Sequence, residues 1–282
     1  MEKNMGQLLS TSENRFDFGN NWLEFISNIS EENIREAEES LKKFLDLSTL
    51  TNLSFLDIGS GSGLLSLAAH RLGAKIHAFD YDPESVICTE KMKELYSSGA
   101  PEWVIERGSI LDKDFVLGLG KYDISYAWGV LHHTGALWQA LYNAHLTVKP
   151  GGLLFIGIYN DQGLISALWK IVKRTYCAGR LGRALMMAIF YPMFFLSGLF
   201  IDLIKFRNPL KRYSNHKKYR GMSLLIDWRD WLGGYPYEPA SPDEVVRYFE
   251  NLDYQLVRLQ KTEHGFGNNQ FLFRKSFPSR SA

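Results

Sequence analysis

Cysteine is nearly missing from this chain of 282 residues, which contains only Cys88 and Cys177. The two cysteines lie far apart and lack the spacing of metal ligands. Two distant thiols are typical of a reducing compartment and exclude a small secreted scaffold held together by disulfides. The sequence therefore predicts neither a disulfide framework nor a metal site.

The chain also lacks an apolar leader and a strong net charge. Residues 1–14 are polar and have no apolar core of a secretory signal, so we expect a cytoplasmic protein. The net charge is only +1, but residues 170–220 contain twelve Lys and Arg and the single acid Asp202, a local charge of +11. A hydrophobic fraction of 45% excludes a disordered chain.

Glycine is abundant at one informative place. Residues 55–63 read Phe-Leu-Asp-Ile-Gly-Ser-Gly-Ser-Gly, an apolar strand followed by glycines at alternate positions. Without Cβ atoms, such a loop turns sharply and lets a ligand approach the main chain. Dinucleotide binding requires a glycine at position 64, which is Leu64 here, so the spacing disfavours an NAD-linked oxidoreductase.

Strand and helix patterns continue in alternation after this loop. The predicted strands are residues 55–58, 75–79, 103–106, 122–127, 153–158, 254–259 and 270–274. Asp80 ends the second strand about 20 residues past the loop, where a carboxylate can accept hydrogen bonds from both hydroxyls of a ribose. Asp82 and Pro83 are typical of the start of the next helix.

These landmarks resemble those of a known family. Asp57 and the glycines resemble motif I of the class I S-adenosylmethionine (SAM) methyltransferases, and residues 148–152 resemble the family's Leu-Lys-Pro-Gly-Gly turn. The resemblance covers residues 50–160 and the terminal hairpin, and is to the small-molecule branch that includes ubiquinone-pathway O-methyltransferases. It implies an α/β, Rossmann-like fold with a mostly parallel seven-stranded sheet, an antiparallel terminal hairpin and a helical insertion.

The resemblance also implies SAM as the cofactor and a set of residues that contact it. That set comprises Asp57, Gly59, Ser60, Gly61, Gly63, Asp80, Tyr81, Ser109, Ile110, Asp112, Ala127 and Trp128. The family often has an acid where this chain has Ser109, so the partner of the adenine stays open among Ser109, the Ile110 backbone and Asp112.

Catalytic groups are expected at the carboxyl ends of the fourth and fifth strands, where ligands bind on open α/β sheets. The candidates there are His132, His133, Tyr159, Asn160 and Asp161. A histidine can take a proton from a hydroxyl near neutral pH, although either imidazole can instead be a structural hydrogen-bonding group. The Asn-Pro-Pro-Tyr motif of base and glutamine methylation is missing, which favours oxygen, or a small-molecule amine or carbon, as the acceptor.

Four segments are expected: a loop and lead-in helix over 1–50, a cofactor-binding core over 51–162, an insertion over 163–237 and the end of the sheet over 238–282. The centre of the insertion, residues 184–206, is long and apolar. It could form a lid on the catalytic domain, an interfacial element on a membrane or a membrane span, although Pro192 and Asp202 oppose a span.

The basic flanks of the insertion favour an anionic membrane surface over nucleic acid, because the aromatic residues are embedded in an aliphatic run and not interleaved with the charges. The sequence thus predicts a cytoplasmic SAM-dependent methyltransferase for a small-molecule or lipid-linked acceptor, and leaves open whether the insertion is a lid or a contact with the membrane surface. The alternative is a non-catalytic, membrane-docked binding protein of the same fold.

Residues 15–22 either fold over the cofactor or cover the domain edge, and residues 227–238 form either a binding loop or a packing segment.

Overall fold

The computed structural model describes residues 29–97, 102–205, 224–262 and 267–277, together with Phe16, Trp22, Ile26 and Asn208. Most of the predicted loop 15–22 and of the basic flank 205–220 lies outside the described residues.

A seven-stranded sheet forms the centre of the molecule. The strands are β1 (Ser54–Ile58), β2 (Lys75–Asp80), β3 (Trp103–Arg107), β4 (Tyr122–Trp128), β5 (Val148–Tyr159), β6 (Tyr254–Gln260) and β7 (Asn268–Lys275). Their order across the sheet is β3-β2-β1-β4-β5-β7-β6. The first five pair in parallel, and β7 pairs antiparallel with both β5 and β6. The predicted fold class, including the antiparallel end of the sheet, is confirmed.

Nine helices are described besides a 3₁₀ turn, Leu131–His133. They are α1 (Glu31–Leu45), α2 (Leu64–Arg71), α3 (Pro83–Ser97), α4 (Lys113–Gly118), α5 (Leu137–Leu146), α6 (Leu164–Cys177), α7 (Arg180–Ile204), α8 (Leu224–Gly233) and α9 (Pro242–Glu250). Ser30 and Ser241 cap α1 and α9 through reciprocal hydrogen bonds with the third helical residue.

The core lies on both faces of the sheet because consecutive strand residues point to opposite sides. Phe55 and Phe155 belong to the apolar cluster covered by α1, α2 and α3, whereas their neighbours Leu56 and Ile156 belong to the cluster covered by α5 and α9. Burial on both faces explains why these central strands are apolar runs without alternation.

The strand order reverses between β1 and β4. The chain runs outward from β1 to β3 and then returns to β4 on the other side of β1. In open α/β sheets, ligands bind in the crevice beyond the carboxyl ends of the strands at such a reversal. This topology places the glycine loop, which follows β1, beside the residues that follow β4.

The insertion forms a small helical unit of its own. Val172, Tyr176, Met186 and Leu232 make a buried cluster among α6, α7 and α8. By length and composition, α7 could cross a membrane, and only 11% of its most apolar stretch of 18 residues is buried. The helix continues through Pro192, and Asp202 is buried. Among the described residues, the catalytic domain therefore leaves most of the apolar surface of α7 exposed. A lid would instead bury this surface against the catalytic domain.

Candidate functional site

The glycine loop after β1 turns its main-chain amides toward the end of β2. The amides of Gly59 and Ser60 donate to the carbonyl oxygen of Phe79, at 2.8 and 3.1 Å. The amide of Gly61 donates to Oδ2 of Asp80 at 2.9 Å. Two groups predicted independently from the sequence, the loop and the acid at the end of β2, thus lie in direct contact.

Glycine is required in this loop on two grounds. The φ angles of Gly59, Gly61 and Gly63 are 72°, 55° and 76°, in the region that side chains rarely adopt. A Cβ on Gly59 would lie 2.5 Å from the side chain of Val130, and one on Gly63 would lie 2.9 Å from the backbone of Thr89. The loop therefore presents bare main chain at the point where the strand order reverses.

An aromatic ring from the N-terminal segment lies against the same loop. A Cβ on Gly61 would stand 3.2 Å from the indole of Trp22. Of the two predictions for residues 15–22, this contact favours a position beside the cofactor loop over a cover at the domain edge. The ring was not among the predicted site residues, because the segment has neither strand nor helix periodicity.

The two acids of the site have different surroundings. Asp57 is buried beneath the loop, where its Oδ2 accepts a hydrogen bond of 2.6 Å from the Ser66 hydroxyl of α2. Burial raises the pKa of Asp57 to about 7, and the charge of Asp80 acts in the same direction. Burial also raises the pKa of Asp80 to about 6, opposed by hydrogen bonds from backbone amides, that of Asp82 first. Asp57 thus anchors the helix after the loop, whereas Asp80 faces the loop itself.

This arrangement fits the predicted SAM site. A carboxylate has about four acceptor positions, and Asp80 uses two of them for the amides of Gly61 and Asp82. The others can accept the ribose hydroxyls, and the main chain of the loop, which carries no side chain at the glycines, can lie against the rest of the ligand.

The segment after β3 contains the candidates for adenine recognition. The hydroxyl of Ser109 accepts from the Leu111 amide at 3.2 Å, and the side chain of Ile110 is buried. Asp112 caps α4 by accepting from two backbone amides through Oδ1. The buried amide of Asn143 donates to the Ile110 carbonyl at 2.7 Å. Asn143, which holds this segment from α5, was not predicted, because its partner is a main-chain atom 33 residues away.

Two aromatic side chains border the carboxyl edge of the sheet. Trp128 is 45% exposed at the end of β4, and its ring lies over Gly157, where a Cβ would be 2.7 Å from the indole. Tyr81 is 41% exposed after β2, and its carbonyl accepts from Nε of Arg107. Ala127, by contrast, is buried in the sheet.

His132 is fully buried and its imidazole is neutral. The Tyr159 amide donates to Nδ1 at 3.3 Å, so the proton of the ring is on Nε2. Burial lowers the pKa of His132 well below its ordinary value, and electrostatic interactions with His133 and with Lys173 lower it further. The amide of Glu238 donates to the His132 carbonyl at 3.0 Å. These contacts favour a structural role for His132.

The hydrogen bond at Nδ1 of His133 has the opposite direction to that at Nδ1 of His132. Its Nδ1 lies 2.7 Å from the carbonyl oxygen of Pro236. Because a carbonyl can only accept, Nδ1 carries a proton and Nε2 is the basic nitrogen of the neutral ring. The Tyr159 ring, at the end of β5, is 5.6 Å away. The two histidines therefore differ in which ring nitrogen carries the proton.

The two other candidates at the end of β5 take part in local structure. Oδ1 of Asn160 accepts from Nδ2 of Asn269 at 2.9 Å. Oδ1 of Asp161 accepts from the amide of Gly163 at 3.0 Å, at the start of the insertion. Both side chains thus help to join the sheet to its neighbouring loops.

A buried lysine completes this region. Lys173 of α6 is 2% exposed, and its Nζ donates to the carbonyl oxygen of Trp231 in α8. In the sequence, Lys173 is distinguished only as one charge of the basic flank. Its burial depends on the packing of two helices that are more than 50 residues apart, and no local pattern indicates it.

Comparison with known proteins identifies relatives of the core. Residues 56–154 match the family model of a methyltransferase domain. The chain is 31% identical to a ubiquinone biosynthesis O-methyltransferase of Methylobacterium nodulans over 134 residues, which are 48% of this chain and 51% of that protein. It spans about half the length of the curated relatives that it matches.

Two solved structures share the fold. An O-methyltransferase family protein from Burkholderia thailandensis superposes with a TM-score of 0.54 at 11% identity, covering 87% of this chain and 57% of that one. A magnesium protoporphyrin IX methyltransferase from Synechocystis PCC 6803 with bound SAM superposes with a TM-score of 0.51 at 11% identity, covering 86% and 79%. At these identities the likeness concerns the fold alone.

Proposed function

We propose that this chain, whose residues 56–154 match the family model of a methyltransferase domain, transfers a methyl group from SAM to a small-molecule acceptor. The observation that carries the proposal is the contact between the glycine loop and Asp80. Bare main chain and a ribose acceptor lie together at the reversal of strand order, where a nucleoside ligand binds on this type of sheet. The name of the curated relative, an O-methyltransferase, supports oxygen as the methylated atom.

SAM supplies an electrophilic methyl group, so the protein's task is to hold the acceptor oxygen in line with it and to remove the hydroxyl proton. His133 is the proposed general base, because its Nδ1–H is fixed by Pro236 and its Nε2 can take the proton. Tyr159 packs on the rings of both histidines and keeps them in place.

The proposed chemistry is tested by measuring formation of S-adenosylhomocysteine with panels of hydroxyl and amine acceptors. We expect turnover with hydroxyl compounds, and a decrease in rate of about 10²- to 10⁴-fold in His133→Gln, the usual effect of removing a general base. Affinity for S-adenosylhomocysteine is expected to stay unchanged. Full activity of the variant would exclude His133 as the base, and turnover with amines alone would exclude oxygen.

The exposed surface of helices α6 and α7 supports two finer proposals, namely that the acceptor is lipid-linked and that the insertion contacts an anionic membrane. Their apolar face consists of exposed side chains, namely Leu164, Ile165, Leu168, Ile171, Leu181, Leu185, Ile189, Met193, Phe195, Leu196, Phe200, Ile201, Leu203 and Ile204. Five exposed cations accompany them: Lys170, Arg174, Arg180, Arg183 and Lys205. The one acid in these helices, Asp202, is buried. An apolar face bordered by cations is typical of elements that lie on an anionic interface.

The same face also favours the second candidate function, a membrane-docked binding protein without catalysis. The two functions differ at the glycine loop, not at the insertion. A binding protein has no need for an intact cofactor site, whereas the enzyme requires affinity for SAM. Binding of SAM therefore discriminates between them.

A further inference from the structure

Lys173 is a buried cation that has no ion-pair partner in contact with it among the described residues. Its side chain lies between the insertion and the sheet, and no carboxylate among the described residues is within 4.0 Å of its Nζ. A charge removed from water is costly unless it is paired. Burial accordingly lowers the pKa of Lys173 to about 8, although the Cys177 thiol and Asp230 act in the opposite direction.

The described contacts of Lys173 satisfy only part of its ammonium group. One hydrogen bond goes to the carbonyl oxygen of Trp231, one of the last carbonyls of α8, which have no partner within the helix. The rings of Trp231 and Tyr237 lie 5.8 and 5.3 Å from Nζ. An ammonium has three donors, and Lys173 lines a small crevice together with these rings, Tyr159 and Asn160.

The proposed base lies beside this ammonium. A Cβ on Gly234 would stand 3.4 Å from Nζ of Lys173 and 3.0 Å from Cε1 of His133. Both side chains therefore closely approach the position that a Cβ on Gly234 would occupy. A molecule whose hydroxyl faces His133 would have its neighbouring atoms near Lys173.

From this geometry we propose that Lys173 binds an anionic oxygen of the acceptor, so that the site selects hydroxyl compounds that carry a carboxylate. This inference rests on the proposed function for the identity of the acceptor. The ligand's carboxylate supplies an ion-pair partner in contact with the ammonium, and its binding directs the hydroxyl to His133. A solvated lysine could cap α8 equally well, so capping alone does not explain the burial.

The test uses benzoate as the carboxylate probe and benzyl alcohol as its uncharged counterpart, with binding measured by ligand-observed NMR. We expect benzoate to bind the wild-type protein more tightly than benzyl alcohol does. Lys173→Met should weaken benzoate binding at least tenfold. Lys170→Met removes the same charge from an exposed position one turn earlier in α6 and should leave benzoate binding unchanged.

A second variant keeps the Lys173 cation and adds a methyl group at the position that both side chains approach. Gly234→Ala places a methyl group between Lys173 and His133, and it should weaken benzoate binding even if Lys173→Met does not fold. Equal affinity for the two probes in the wild type, or undiminished benzoate binding in the folded variants, would overturn the proposal. Titration of the wild type with S-adenosylhomocysteine distinguishes failure of the methyltransferase function from failure of the Lys173 proposal. A wild type that does not bind S-adenosylhomocysteine contradicts the methyltransferase function, and the benzoate result then decides on Lys173 separately.

Discussion

At the scale of single residues, Asp80 makes cofactor affinity depend on pH. The pKa of its carboxyl is about 6 in the cofactor-free protein, and only the ionised form can accept hydrogen bonds from both ribose hydroxyls. We expect the dissociation constant of S-adenosylhomocysteine to be constant above neutral pH and to increase about tenfold at about pH 5, one unit below the pKa. Calorimetric titration across this range measures the change.

Asp80→Asn is the matched control for this pH dependence. The amide does not titrate, so its affinity should be lower than that of the wild type near neutral pH and the same at both ends of the range. A variant that keeps the full pH dependence would show that another group, such as Asp57 with its pKa of about 7, is responsible.

Single residues also differ in how far the sequence predicts them. Asp80 and the loop glycines are predictable because their roles follow from strand ends and backbone conformation within one βαβ unit. Lys173 and Asn143 are not, since their partners, Trp231 and Ile110, come from distant segments. The sequence predicts two equivalent histidines, and only the contacts of Nδ1 distinguish His132 from His133.

At the scale of elements, the turn from β1 to α2 is the most constrained part of the site. Gly63 has a φ of 76° and lies against the backbone of Thr89. Gly63→Ala should lower the free energy of unfolding by about 1–3 kcal/mol, the usual cost of such a conformation, and should weaken binding of S-adenosylhomocysteine. Urea denaturation and calorimetry measure the two effects.

Gly118→Ala is the matched control for the turn. A Cβ at Gly118 meets nothing within 4 Å, and its φ is not positive. This variant should have wild-type affinity and equal or slightly higher stability. Similar losses in both variants would mean that the turn is not specially constrained.

Secondary-structure elements also differ in how far the sequence predicts them. The strands match their predictions to within a residue or two, except that β5 begins at Val148, before the predicted Leu153, because Val148 itself pairs with Tyr122 ahead of an irregularity in β4. The apolar run of α7 was equally compatible with a buried lid and an exposed face. Hydropathy is the same in both cases, and only the packing of α7 on α6 and α8 distinguishes them.

At the scale of the whole molecule, the charge asymmetry and the apolar face of α6 and α7 predict membrane contact. The protein should sediment with vesicles of phosphatidylcholine and phosphatidylglycerol at low salt, and less at high salt, because salt screens exposed charges. Phe200→Glu places a charge in the apolar face and should reduce sedimentation. Sedimentation and its salt dependence are measured together.

The control for this variant is Leu95→Glu, which changes a comparably exposed apolar residue on α3 of the core; Phe200 and Leu95 are both 65% exposed. It should bind vesicles like the wild type. Absence of binding to anionic vesicles at low salt, or an equal effect of both variants, would contradict a membrane role of the insertion. Self-association of the wild type in solution would then point to a second copy of the chain as the partner of this face.

The central claim is that the glycine loop and Asp80 form a SAM site. Isothermal titration of the wild type and of Asp80→Ala with SAM and S-adenosylhomocysteine tests it most directly. The account predicts that the wild type binds both ligands and that Asp80→Ala, while folded, binds them at least tenfold more weakly, the loss of one charge-assisted hydrogen bond or more. A folded wild type that binds neither ligand would contradict the claim and would leave the membrane-docked binding protein as the function of this chain.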